Sequence, residues 1–156
     1  HSFPDTLRSA VESPRKMLPI PADRSVSGCA IQLGGMPTDG VLGVAEGLET
    51  AFSALRAYGT PVWSCINATL LEQFTPPPGI KRLIIWGDLD KSGRGQQASQ
   101  VLKARMEAES IGAHIILPNK PMKEKGVDWN DVMVDEGIAG FPVWPLVRNM
   151  MYRVRP

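Results

Sequence analysis

Apolar residues in this chain arrive in short blocks, and each block is followed by a stretch with a different period. Val41-Leu42-Gly43-Val44-Ala45 is the first clear block and ends at Glu46-Gly47. From Leu48 the apolar positions Leu48, Ala51, Phe52, Leu55 and Tyr58 recur at spacings of three and four, which predicts a helix running to Gly59. Pro61 to Ile66 is a second block, and Asn67 or Thr69 is placed to cap a short helix over Leu70 to Phe74. After the break Pro76-Pro77-Pro78-Gly79 comes the most apolar block, Leu83-Ile84-Ile85-Trp86, which reads as a strand buried on both faces. A helical pattern follows from about Gln96 to Ser110, stopped by Gly112, and His114 to Leu117 forms another strand closed by Pro118. Lys120 to Gly126 is a charged loop, and a last helical stretch begins at Asp128 and runs to about Glu136. Strands alternating with helices predict an α/β fold, a parallel sheet of about four strands flanked by helices on both faces.

The ends of the chain are patterned differently. Residues 1–28 are rich in proline and polar residues and read as an irregular or edge segment, because proline is excluded from central strands. Cys29 to Leu33 alternates weakly and predicts a short strand, closed by Gly34-Gly35 and the turn Pro37-Thr38-Asp39-Gly40. The tail from Phe141 to Pro156 mixes apolar residues with Arg148, Arg153 and Arg155 and predicts no element.

Composition narrows the class without naming a partner. With 156 residues, 43% hydrophobic and 21% charged, the chain suits one globular domain with a proper core. Lys and Arg number 17 against 16 Asp and Glu, so net charge says nothing about nucleic acid, and any basic surface must come from local clustering. Cys29 and Cys65 form neither a zinc motif nor a disulfide framework; two buried free thiols are expected, which suits a cytoplasmic setting. No run approaches the roughly 18 apolar residues that span a bilayer, so no membrane partner is expected. The chain begins at His1 without a methionine, from which we expect a piece of a longer protein.

The candidate chemistry gathers after the Leu83–Trp86 block, in Gly87-Asp88-Leu89-Asp90-Lys91-Ser92-Gly93-Arg94-Gly95. Residues at the carboxyl end of a strand in an α/β sheet face the crevice where such folds bind ligands. Asp88 and Asp90, two residues apart, are expected on the same side, and a divalent cation would relieve their repulsion. Asp88, Asp90, Ser92 and Gly93 fit the start of an EF-hand loop, but the closing position would be Ser99 and the flanks are strand and helix. Gly93-Arg94-Gly95-Gln96-Gln97-Ala98 fits a dinucleotide fingerprint, yet two carboxylates would lie beside the pyrophosphate. An Asp-x-Asp at a strand end is also similar to haloacid-dehalogenase-type phosphohydrolases, although these carry it on their first strand. A better constellation adds Glu46, which closes another parallel strand. If the two strands are neighbours, three carboxylates converge in an oxygen-rich site suited to Mg²⁺ or Mn²⁺.

Glu46-Gly47 after one strand and Asp88-Leu89-Asp90 after a later one, with a helix between, resemble the Toprim domain. The wording AEGLETAFSAL, IIWGDLDKSGRGQQA and VDWNDV resembles the DNA primases of plasmids, phages and mobile elements more than topoisomerases. The resemblance divides the chain into an N-terminal extension over 1–40, a Toprim catalytic domain over 41–137 and a tail over 138–156. It implies a metal-dependent nucleotidyltransferase, a DNA-directed RNA polymerase that makes short primers on single-stranded DNA from nucleoside triphosphates during replication. A Toprim nuclease or phosphohydrolase is the alternative. Asp88 and Asp90 would hold Mg²⁺ against the nucleotide phosphates, and Glu46 would be a further ligand or the general acid/base. Glu49 would flank the site.

Several neighbours carry two readings. Asp128 is an outer metal ligand by the resemblance, and with Asp131 it equally suits a capping box, with Trp129 between them as a core or lid anchor. Lys91 and Arg94 are placed to meet phosphate or to form a solvated face. The same two readings apply to Arg15, Lys16 and Arg24. Primases of this kind usually carry a zinc-binding domain ahead of the Toprim fold, and residues 1–40 lack the Cys and His for one. That domain, and a replicative helicase or fused helicase region, are expected outside this chain, which by itself would prime inefficiently.

Overall fold

The structure, a computed structural model, describes Pro19 and residues 21–152. Arg15 and Lys16 lie outside the described residues. Four strands, β1 (Val41–Ala45), β2 (Val62–Ser64), β3 (Arg82–Trp86) and β4 (Gly112–Ile116), form one all-parallel sheet in the order β2-β1-β3-β4. The helices are α1 (Leu48–Tyr58), α2 (Ala68–Gln73), α3 (Arg94–Ala108), α4 (Trp129–Glu136) and α5 (Trp144–Tyr152), with a 3₁₀ turn over Gly137–Gly140.

Both faces of the sheet are covered, as the unbroken apolar blocks require. Leu42, Val44, Leu83 and Ile85 point to one face and pack with Leu70, Leu71 and Phe74 of the α2 region and with Leu102 and Met106 of α3. Val41, Ala45, Ile84 and Trp86 point to the other and pack with Ala51 and Ala54 of α1, Trp129 and Val132 of α4, Phe141, and Val147 of α5. This alternation follows from the period of two in extended chain. β1 leads through α1 to β2 on one side, whereas β3 leads through α3 to β4 on the other, and these two helices lie on opposite faces. The strand order therefore reverses between β1 and β3. That point opens a crevice at the carboxyl ends of the two strands.

Several local expectations need correction. The predicted strand over Cys29–Leu33 is a single antiparallel bridge, Ile31 to Ser64, with hydrogen bonds of 2.7 and 3.0 Å. It lies along the outer edge of β2, where one residue is enough to cap a three-residue strand. Cys29 is exposed; only Cys65 is buried. α3 begins at Arg94, two residues earlier than its apolar period suggests, because side-chain and backbone acceptors at Asp90 already hold its first amides. On α1 the buried residues are Thr50, Ala51, Ser53 and Ala54, while Leu48 and Phe52 are 45% and 58% exposed. Small side chains bring α1 close to the sheet, and the larger apolar ones are turned outward. The tail, which predicts no element, forms α5, anchored by buried Val147 and by the Arg82 guanidinium donating to the Met150 carbonyl at 2.8 Å.

Candidate functional site

The ladder puts the two acidic strand ends side by side. Ala45 pairs with Trp86, so Glu46 and Gly87 leave the sheet together at the point where strand order reverses. The expectation that the two strands are neighbours is met. Gly87 is closely packed: a Cβ there would lie 2.7 Å from a Leu117 methyl and 3.3 Å from the Ser99 hydroxyl, so these side chains would have to shift.

Asp88 and Asp90 do not face the same way. Once the chain leaves the extended conformation at Gly87, the alternation that would align them no longer applies. Asp88 turns toward α1 and α4. Its Oδ1 accepts a hydrogen bond from the Thr50 hydroxyl at 2.8 Å, and the Trp129 amide also donates to its carboxylate. Burial pushes the Asp88 carboxyl up to about 7, and the negative charges of Asp128 and Glu46 add to that, against the two donors. Asp90 turns toward α3. Its Oδ1 accepts from the Ser92 hydroxyl at 2.6 Å and from the Arg94 amide at 3.2 Å, and its Oδ2 accepts from the Gly95 amide at 2.8 Å. Burial alone would raise its pKa, but the Ser92 hydroxyl and the amides of Gly95, Arg94 and Gly93 outweigh it and hold Asp90 below the usual carboxylate range.

Glu46 converges with Asp90 and also acts on Asp88 through its charge. A Cβ built on Gly95 would lie 2.9 Å from Asp90 Oδ2 and 3.1 Å from Glu46 Oε2, so the two carboxylates converge over Gly95. Burial and then the charge of Asp90 raise the Glu46 pKa, partly offset by the Ala68 amide and the Arg94 guanidinium. Among the described residues, no three acidic, His or Cys side chains are grouped closely enough to form a ready-made metal cage. The donor set nevertheless fits Mg²⁺, which is commonly held by one or two carboxylates while waters and substrate phosphates fill its shell. Glu46 and Asp90 would supply those carboxylates.

The remaining candidates separate. Asp128 caps α4: its carboxylate accepts from the Asp131 amide at 2.7 Å, and Asp131 accepts in return from the Asp128 amide at 3.3 Å. The capping-box reading is therefore present, and Asp128 acts on the site through its charge on Asp88. Trp129 is a core anchor, 1% exposed, with its indole N–H donating to the Gly87 carbonyl at 3.1 Å. Arg94 is paired with Glu72 and lies 3.5 Å from the Thr69 hydroxyl, within electrostatic reach of Glu46. Lys91 and Glu49 are exposed.

Two features are additional to the residues singled out by sequence. Thr50 on α1 donates to Asp88, 38 residues further along the chain, so no local spacing signals it. The second is Ile66. Its φ is +73°, one of two non-glycine positive values among the described residues; the other, Ser110, ends α3, where such a conformation is ordinary. The Asn67 amide donates to the Cys65 carbonyl at 2.9 Å, which closes a three-residue γ-turn with Ile66 at its centre.

Comparison with family models finds the Toprim domain over residues 41–139. The chain belongs to the Toprim family. Toprim domains occur in primases, nucleases and topoisomerases, and they typically bind Mg²⁺, so this one points to a metal-dependent enzyme of nucleic-acid metabolism. Neither the curated proteins nor the solved structures yield a match. Among the described residues no helix is long and apolar enough to cross a membrane.

Proposed function

We propose that this Toprim domain is the catalytic part of a DNA primase, joining nucleoside triphosphates into short RNA primers on single-stranded DNA. The observation that carries the reading is the pairing of β1 with β3, which brings Glu46 and the Asp88–Asp90 loop to one crevice with Arg94 beside them. Phosphoryl transfer asks a protein mainly for positioning and charge neutralisation, and acidic residues flanked by an arginine suit that task. The residue wording around both acidic strand ends supports a primase of a plasmid, phage or mobile element.

In this reading Glu46 and Asp90 would hold Mg²⁺ or Mn²⁺, with Asp88 on the same loop as an additional carboxylate, and the bound cation would supply neutralising charge for the nucleotide phosphates. Asp90 is kept charged by the amides at the start of α3. Asp88 retains its proton up to about neutrality and a cation held beside it would favour its ionised form, while Glu46, with a raised pKa, is the group suited to take a proton from the primer's 3′ hydroxyl. Lys91 and Arg94 meet phosphate; Asp128 contributes charge from behind Asp88. A replicative helicase and a zinc-binding region are the proposed partners, in the cytoplasm.

Primer synthesis from ribonucleotides on single-stranded DNA tests this, with Mg²⁺ binding followed by calorimetry. An Asp88→Ala/Asp90→Ala double variant is expected to lose about a thousandfold in activity together with its Mg²⁺ heat. Equal Mg²⁺ binding in both proteins would overturn the assignment. Strand breakage without nucleotides would favour a Toprim nuclease instead.

A further inference from the structure

We infer that Ile66 is a nucleotide-contact residue, an apolar rim element set beside Glu46 to receive the ring portion of a nucleotide whose phosphates face Arg94. This rests on the nucleotide-handling reading above and adds a residue and a division of labour to it.

The turn at Ile66 is expensive for its sequence. The γ-turn with positive φ is rare and strained, and a β-branched residue is among the least suited to it. Such conformations persist only where the surroundings over-determine them, and they cluster at ligand-handling sites. Here the surroundings are visible. The Cys65 amide donates to the Ala45 carbonyl at 2.8 Å, the Ser64 hydroxyl donates to the Glu46 carbonyl at 3.3 Å, and the Asn67 side chain caps α2 through the Leu70 amide at 2.9 Å. The turn thus swings the chain from the end of β2 so that the Ala68 amide reaches the Glu46 carboxylate.

Glycine or asparagine would make the same turn with less strain, so the turn by itself does not call for isoleucine. Nor does the core, because Ile66 is 48% exposed. What isoleucine adds is an exposed, branched apolar side chain just past the carboxyl end of β2, the strand that flanks β1 and Glu46. The chain places Arg94 within electrostatic reach of Glu46 as well, with Thr69 on α2 beside its guanidinium. A cation and an apolar side chain near one carboxylate suit a ligand that is anionic at one end and a flat ring at the other. A nucleotide has that form.

The test uses the whole chain, a fluorescent ATP analogue in Mg²⁺ and, as a ring-free probe, inorganic tripolyphosphate. Ile66→Asn is expected to weaken ATP-analogue binding about tenfold, as loss of one apolar contact would. Tripolyphosphate and Mg²⁺ affinities should stay unchanged, and the melting temperature should hold or rise by about 2 °C. Ile66→Val should bind within about twofold of wild type. The inference is overturned if Ile66→Asn binds the ATP analogue as wild type does, if both probes weaken equally, if wild type binds no nucleotide, or if Ile66→Asn melts many degrees lower. A wild-type chain that breaks DNA strands without nucleotides yet shows this Ile66-dependent binding would defeat the primase reading and leave the inference standing.

Discussion

Asp88 and Asp90 are two residues apart on one loop, yet they occupy opposite electrostatic settings. Asp88 sits against α1 and α4, with one hydroxyl and one amide donor and two negative neighbours. Asp90 is wrapped by a hydroxyl and successive amides at the start of α3. Identical side chains therefore behave as different reagents: one is proton-retentive near neutrality, and the other is ionised throughout the useful range. Splitting the pKa values of neighbouring carboxyls is a common way to give them separate roles. The contrast also shows that depth of burial and the number of hydrogen-bond donors, more than the charge of other acids, decide which carboxylate keeps its charge.

The largest expected effect is on pH dependence without metal. Asp88 is raised in the folded state, so its contribution to stability is full below its unfolded pKa and is lost as pH rises through about 7. At roughly 1.4 kcal/mol per pKa unit, and with the carboxyl still touching water, wild type in EDTA should lose about 3 kcal/mol between pH 4 and 8 relative to Asp88→Asn. Urea unfolding of both proteins across that range checks it, and parallel curves would erase the contrast. A smaller effect is expected on the other side of the loop. Asp90→Ala removes the acceptor for the first amides of α3 and should cost about 2 kcal/mol at pH 7, a loss that Asp88→Asn should not show. Smallest is Thr50→Val, which deletes a donor to Asp88. It should destabilise by about 1 kcal/mol at pH 8 and by less at pH 4, where Asp88 is protonated. A pH-independent loss would mean that Thr50 serves packing alone.

Much of this architecture is legible along the chain, for reasons specific to its residues. Apolar blocks ending in Glu46-Gly47 and Gly87-Asp88 mark parallel strands and their crevice ends, because burial on both faces leaves no polar alternation. The divergence of Asp88 from Asp90 is not legible, since it depends on where extended geometry stops. The buried face of α1 is misjudged because Thr50 and Ser53 look like surface residues; one of them is buried to hold Asp88. The pairing of Arg94 with Glu72 joins residues 22 apart and has no local signature. α5 is hidden because Arg148 and Asn149 interrupt its apolar residues, and its anchor, Arg82, belongs to β3.

The bridge between Ile31 and Ser64 closes the flank of a sheet whose outermost strand on that side is three residues long. An open row of amides and carbonyls there would offer a template to any extended chain, including another copy of this protein. By occupying one position of it with two short hydrogen bonds, the segment ahead of β1 shortens the stretch of that edge open to such pairing.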